Sequence, residues 1–262
     1  MIKLQISIKS VILLRPVQIS AFFPYGFTTY SLPYKVVWML HSAIGDSGMF
    51  ADNTALSELA NQKGFAFIAP SLGNGFFVDS GYERQAAFLS QEFLPVMRQM
   101  LHVSPKREDN ALLGVSMGGF GAVRWAMDTP EMFSAVASIS ANFRLPVELD
   151  ERVFKSREQR LIYQIFEKEL IPRLFYDKDG KLLPHADLVR LMDNPGNKNS
   201  LPRIGLYCGD RDYLALNQNT AFFEHCKTCG VPAELYITDG GHNPEYWNVA
   251  LLEAVNRLFP DK

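Results

Sequence analysis

The chain has 262 residues, 47% of them hydrophobic and 21% charged, with a formal net charge of −2. That length suits one α/β domain whose core needs neither disulfides nor metals, and the near-neutral balance leaves no electrostatic footprint for nucleic acid. No run of ~18 apolar residues predicts a membrane span, and three cysteines (Cys208, Cys226 and Cys229) are an odd set that argues against a disulfide framework.

Ile2, Leu4, Ile6 and Ile8 alternate with polar residues, which predicts a strand near 2–9, and a second strand is expected near 17–23. The apolar run Val11–Leu14 is too short for a signal peptide and is followed at once by Arg15 and Pro16, so a cytoplasmic chain is expected. Val36–Leu40 reads as a buried strand. A helix near 51–62 leads to the strand Phe65–Ala69, stopped by Pro70. Phe88, Phe93, Leu94, Met97 and Leu101 recur near helical spacing and predict a long helix over 83–102, with Pro95 a candidate kink.

Ala111–Val115 is a short apolar strand with a helix directly after it, running to about Met127. The strand Ala135–Ile139 follows. A charged, amphipathic stretch over about 146–200, containing Phe154, Ile162, Phe166, Leu170 and Leu174, then breaks the alternation and reads as short helices forming a cap. The pattern resumes with the strand Ile204–Cys208, a helix near 216–228, the strand Ala233–Ile237 and a helix from Pro244 to Leu258. Alternation of this kind predicts a mostly parallel sheet with helices on both faces. The expectation is a single α/β domain over 1–262 with a cap-like insertion at about 145–200.

Gly114-Val115-Ser116-Met117-Gly118 has the Gly-x-Ser-x-Gly form of a nucleophile elbow, with an apolar strand before it and a helix after it. A serine at so sharp a turn leaves no room for side chains two residues away on either side, and the helix N-terminus behind it favours developing negative charge. Such a serine needs a base, and the base needs an orienting acid, in the order Ser, Asp or Glu, His. His242 follows the last predicted strand, where the base belongs, whereas His225 falls inside a predicted helix. Asp210 and Asp212 both follow the strand ending at Cys208, and the residues alone do not separate them. Asp239 stands too near His242 in sequence to reach behind its ring. The oxyanion hole needs two backbone N–H groups, expected from Met117 and, in the loop after the third strand, from Ala43. His41 lies upstream of the serine, in the wrong order for a base, and reads as a buried structural histidine.

The chain resembles the esterases that include S-formylglutathione hydrolase (esterase D) and bacterial tributyrin esterases. The resemblance rests on Met39-Leu40-His41, Asn74-Gly75-Phe76-Phe77-Val78-Asp79 with Tyr82, and Glu92-Phe93-Leu94-Pro95. It continues through Gly114–Ala122 and Gly209-Asp210-Arg211-Asp212 to His242 with Trp247. It implies an α/β-hydrolase fold, no metal, hydrolysis of small acyl esters or thioesters, and an acid at the last position of Gly-x-x-Asp, here Asp212. Two positions depart from the family pattern. Ser42 stands where glycine usually follows the histidine, and Pro244 stands where tryptophan is common. The strand-3 loop inclines the resemblance towards the tributyrin esterases.

The expected activity is that of a serine carboxylesterase on short-chain acyl esters, with rates highest from acetyl to butyryl. Its triad would be Ser116, Asp212 and His242. Phe76, Phe77, Phe120 and Phe143 are candidate pocket walls, although each also fits plain core packing. Thioesterase and acyltransferase chemistry would use the same residues. A non-catalytic binding module is disfavoured because no member of the triad is missing. Cys226-Lys227-Thr228-Cys229 has metal spacing, but zinc wants two further ligands and no second pair exists, so reduced thiols are expected. No metal or cofactor is expected. The expected partner is a small-molecule acyl ester, with neither nucleic acid nor membrane, and a homo-oligomer stays open.

Overall fold

The apolar runs of the central strands carry no polar alternation, so they need cover on both faces. The computed structural model, which describes residues 2–25, 33–50, 54–145, 157–184, 186–193 and 200–259, supplies it. Among those residues one sheet contains β1 (Ile2–Ser10), β2 (Arg15–Phe23), β3 (Lys35–Leu40), β4 (Phe65–Pro70), β5 (Asn110–Val115), β6 (Ala135–Ile139), β7 (Arg203–Gly209) and β8 (Ala233–Thr238). Their order is β1-β2-β4-β3-β5-β6-β7-β8. β1 and β2 form an antiparallel hairpin and β2 pairs antiparallel with β4, while every pair from β4 across to β8 is parallel. This is the α/β-hydrolase architecture expected.

The helices are α1 (Thr54–Lys63), α2 (Gln85–Ala87), α3 (Leu94–Met100), α4 (Met117–Asp128), α5 (Arg157–Ile165), α6 (Ile171–Phe175), α7 (Leu188–Asp193), α8 (Leu216–Cys229) and α9 (Pro244–Leu258). Of the helix predicted near 51–62, residues 51–53 lie outside those described. Because successive strand residues point to opposite faces, the sheet builds two cores. Trp38, Leu112, Val136 and Leu206 pack with Met97 of α3, Val123 of α4 and Phe222 of α8. Val37, Met39, Leu113 and Ala137 pack on the other face with Ala60 of α1 and with Leu251 and Val255 of α9. No described helix is long and apolar enough to cross a membrane.

The helix expected over 83–102 is not one α-helix. α2 passes into a π-helical stretch, Phe88–Phe93, before α3 begins. Pro95 is the cause: proline has no N–H, and its ring strikes the carbonyl four residues back. Just before it, the Leu94 N–H bonds the Leu89 carbonyl, five residues back, which widens the turn. The insertion repeats the device. Between α5 and α6 lies the π stretch Phe166–Leu170, where the Ile171 N–H bonds the Phe166 carbonyl immediately before Pro172. The extra residue per turn shifts the predicted apolar stripe. Ile162 and Phe166 share a face as expected, but the next residue on it is Ile171 rather than Leu170. Leu174 and Phe175 are buried beyond it. Phe154 lies outside the described residues.

Candidate active site

The chain leaves β5 at Val115 and turns into α4 through Ser116, whose backbone has φ +54° and ψ −113°. A non-glycine residue is strained there. The turn is held by the Ser116 N–H, which donates to the Ile139 carbonyl at 2.7 Å, and by the Ser116 carbonyl, which accepts from the Gly119 N–H at 2.9 Å. The flanking glycines answer a close approach. A side chain on Gly114 would strike the Gly118 carbonyl, and one on Gly118 would strike the Leu40 carbonyl at the end of β3.

His242 sits on the loop between β8 and α9. Its Nε2 lies 3.0 Å from Ser116 Oγ. Its Nδ1 faces Asp212, at 2.9 Å from Oδ2 and 3.1 Å from Oδ1. Asp212 is fully buried, and its Oδ1 also accepts the Ala215 N–H at 3.0 Å. An ionised carboxylate only accepts, so the network assigns the imidazole proton to Nδ1 and leaves the Nε2 lone pair facing the serine hydroxyl. Trp247 presents its ring edge-on to His242, centroids 5.1 Å apart.

The two aspartates that the sequence leaves open are separated by this geometry. Asp210 is exposed, and its Oδ1 accepts the Gly240 N–H at 3.1 Å, bracing one loop against the other. Asp239 pairs with Arg211 at 2.8 Å.

In the loop after β3 the Ser42 N–H points at Met49 Sδ (3.3 Å), the Ile44 N–H donates to Asn74 Oδ1 (2.7 Å) and the Gly45 N–H donates to the Ser42 carbonyl (3.1 Å). The Ala43 N–H alone of these four has no partner among the described residues. The Met117 N–H, in the first turn of α4, has no acceptor within its own helix. Ala43 and Met117 line one cavity with Ser116 and His242. Beneath the loop His41 is fully buried. Its Nδ1 donates to the Ser42 carbonyl at 2.8 Å, and its Nε2 accepts the Leu72 N–H at 3.1 Å. An accepting Nε2 requires the neutral ring, and burial pushes its pKa down in the same sense. His41 thus ties the loops after β3 and β4 together.

The cavity measures about 540 Å³. Phe76, Met117, Ile162, Phe166 and Ile171 form its apolar wall, and Asn142, Arg144, Tyr163, Glu167, Arg211 and Tyr213 its polar one. Of the four aromatics expected to line it, only Phe76 does. Phe77 packs edge-on against His41 and over Gly121. Phe120 is sealed between Phe76 and Phe175. Phe143 stacks on Phe222 at 3.9 Å. All three are buried from both solvent and cavity because α4, α6 and α8 close over them. Phe76 and Phe77 both have positive φ, and the Phe77 N–H is pinned at 3.0 Å by Oε1 of the buried Gln85, so the turn directs the two rings apart.

Sequence reasoning gave no role to Asn74, which the resemblance names and which braces the Ala43 loop, and it missed the pair Arg144–Glu167. Two parallel bonds of 2.6 and 2.8 Å join Arg144, just after β6, to Glu167 in the insertion. Burial works against the Arg144 charge, but the Glu167 carboxylate outweighs it and raises the guanidinium pKa. The neighbouring Tyr163 hydroxyl is pushed up by burial and then by Glu167. The only available signal was a charged residue inside the amphipathic stretch, among many others.

A family model described as "Putative esterase" matches residues 77–258, from the Phe76–Phe77 turn through the elbow to the end of α9. The chain belongs to this esterase family. The esterase is 24% identical over 223 residues to an acetyl esterase of Caldicellulosiruptor saccharolyticus, covering 84% of this chain and 81% of the relative. Its fold is similar to that of FphF, a fluorophosphonate-binding serine hydrolase of Staphylococcus aureus, with a TM-score of 0.80, 21% identity and 99% of each chain covered. It is also similar to the S-formylglutathione hydrolase FrmB of Staphylococcus aureus, with a TM-score of 0.75, 20% identity and 99% of each chain covered. The esterase is a carboxylic ester hydrolase.

Proposed function

We propose that the esterase cleaves short-chain acyl esters as a serine carboxylesterase, with Ser116 as nucleophile, His242 as base and Asp212 as the orienting acid. One observation carries this reading: Ser116 Oγ lies 3.0 Å from His242 Nε2, and the far side of the ring meets the buried Asp212 carboxylate at 2.9 Å. His242 takes the serine proton as the oxygen attacks the ester carbonyl, and Asp212 stabilises the imidazolium. The N–H groups of Ala43 and Met117 receive the oxyanion. The alcohol leaves with the proton from His242, and water repeats the attack on the acyl-enzyme.

The insertion acts as a cap. Ile162, Phe166 and Ile171 reach the cavity from the insertion between β6 and β7, and Arg144–Glu167 fastens that segment to the sheet. We read the chain as one domain carrying this cap over about 145–200. The acetyl ester named for the curated relative supports a small acyl group. Likeness in fold to S-formylglutathione hydrolase makes thioesters the second substrate class to assay.

Across p-nitrophenyl acetate, butyrate, octanoate and palmitate, kcat/KM is expected to peak at acetate to butyrate. A peak at octanoate or beyond would mean an open acyl channel and rule out the closed cap. A fluorophosphonate probe is expected to label Ser116, and Ser116→Ala to lose both labelling and several orders of magnitude in rate. Labelling at another residue of an active preparation would remove the serine from its role.

A further inference from the structure

A second cluster of reactive side chains lies outside the cavity, at the C-terminal end of α8. His225 and Cys229 are four residues apart and share a helix face. Cys229 Sγ lies 3.3 Å from His225 Nε2 and 3.1 Å from Oδ1 of Asp193, the last residue of α7. All three potential ligand atoms fall within 4.8 Å of one another. Cys226, the other half of the Cys-x-x-Cys spacing, turns away. It is buried against Met192 Sδ at 3.6 Å, and burial pushes its thiol up to about 12. The two thiols of the Cys-x-x-Cys spacing therefore do not meet, whereas Asp193, His225 and Cys229 do.

We propose that Asp193, His225 and Cys229 form a zinc site. Three potential ligand atoms, a carboxylate oxygen, an imidazole nitrogen and a thiol sulfur, converge there. A cation at the centre satisfies all three. Tetrahedral zinc, with bonds of about 2.0–2.3 Å, sets its ligands about 3.3–3.6 Å apart, close to the separations seen from Cys229. A thiolate, an imidazole and a carboxylate suit zinc, with water completing the set. On binding, the Cys229 thiol releases its proton to solvent, while His225 binds as the neutral ring through Nε2.

The site lies apart from the esterase centre. β7 runs towards Asp212, and α8 runs back for 14 residues, about 21 Å at 1.5 Å per residue, before Gly230 ends it and β8 starts. The cluster therefore sits at the sheet edge opposite Ser116. Zinc there would clamp α7 of the insertion to α8 of the core.

The test uses the full chain, stripped with a chelator and titrated with Zn²⁺. One equivalent should bind, and Cys229→Ser and His225→Asn should each weaken binding at least about tenfold. Co²⁺ should give a thiolate charge-transfer band in the parent and in Cys226→Ala but not in Cys229→Ser. Saturating zinc should raise the Tm of the parent and not of Cys229→Ser, with kcat/KM on p-nitrophenyl acetate unchanged in both. Substoichiometric binding, binding that survives Cys229→Ser, or a cobalt band lost in Cys226→Ala instead would overturn the site.

Discussion

Ser116 holds its hydroxyl at the sheet edge only because the strained turn beneath it is braced from three sides: the Ile139 carbonyl, the Gly119 N–H and the close pass of Gly118 over β3. These constraints act within a few residues, which is why the serine and its glycines were legible in the chain. His242 was legible for a different reason, since chain order leaves few candidates after the last strand. The proposed acid was not legible from the residues alone, and only the resemblance pointed to Asp212. Asp210 and Asp212 stand two apart on one turn, and only the path of that turn decides which enters the interior. Asp212 is buried behind the ring, whereas Asp210 holds the Gly240 amide. Asp212→Asn should therefore lower kcat on the order of 10⁴-fold through loss of the correct tautomer. Asp210→Asn, which can still accept at its carbonyl oxygen, should stay within about tenfold. Steady-state kinetics of the two variants on p-nitrophenyl butyrate decide the matter, and a larger loss in Asp210→Asn would transfer the role to that residue.

At the scale of elements, the eight strands among the described residues were legible, the central ones as continuous apolar runs buried on both faces and β1 through its polar–apolar alternation; the break in the long helix and the bend of the insertion's apolar stripe were not. Both misreadings have one origin. Each helix meets an internal proline, Pro95 or Pro172, and accommodates it with a π turn that a 3.6-residue period does not represent. In the insertion this moves the cavity-facing position from Leu170 to Ile171. Phe166→Ala should widen the acyl side and raise the octanoate-to-butyrate ratio of kcat/KM by about 4- to 15-fold, the equivalent of one or two methylenes at ~0.8 kcal/mol each. Leu170→Ala, which packs on the core instead, should lower Tm and leave the ratio alone. Equal shifts in the ratio for the two variants would mean that the stripe runs straight through the π turn.

At the scale of the molecule, the two antiparallel strands at one edge must be secured to a sheet whose other pairs are parallel, and a single carboxylate contributes at the joint. Glu92, in the π stretch before Pro95, accepts from Ser10 Oγ at 2.6 Å, from the Val11 N–H at 3.0 Å and from the Ile12 N–H at 3.2 Å, gathering the turn between β1 and β2. Burial opposes its charge, but these three donors outweigh it and hold its pKa below the ordinary 4.5. A carboxyl whose folded pKa is depressed stabilises the fold above the unfolded value and loses that contribution as pH falls through the folded one. Glu92→Gln should therefore cost on the order of 1 kcal/mol near pH 7, allowing for partial exposure to solvent. The difference from the parent should narrow below about pH 4.5 as the parent's carboxyl protonates. Urea unfolding of both proteins across that range measures it, and hydrogen exchange near pH 7 should show residues 10–15 opening faster in the variant. A stability gap that stays constant into acid, or exchange that is unchanged in the turn, would mean that packing rather than the carboxylate holds the hairpin to the sheet.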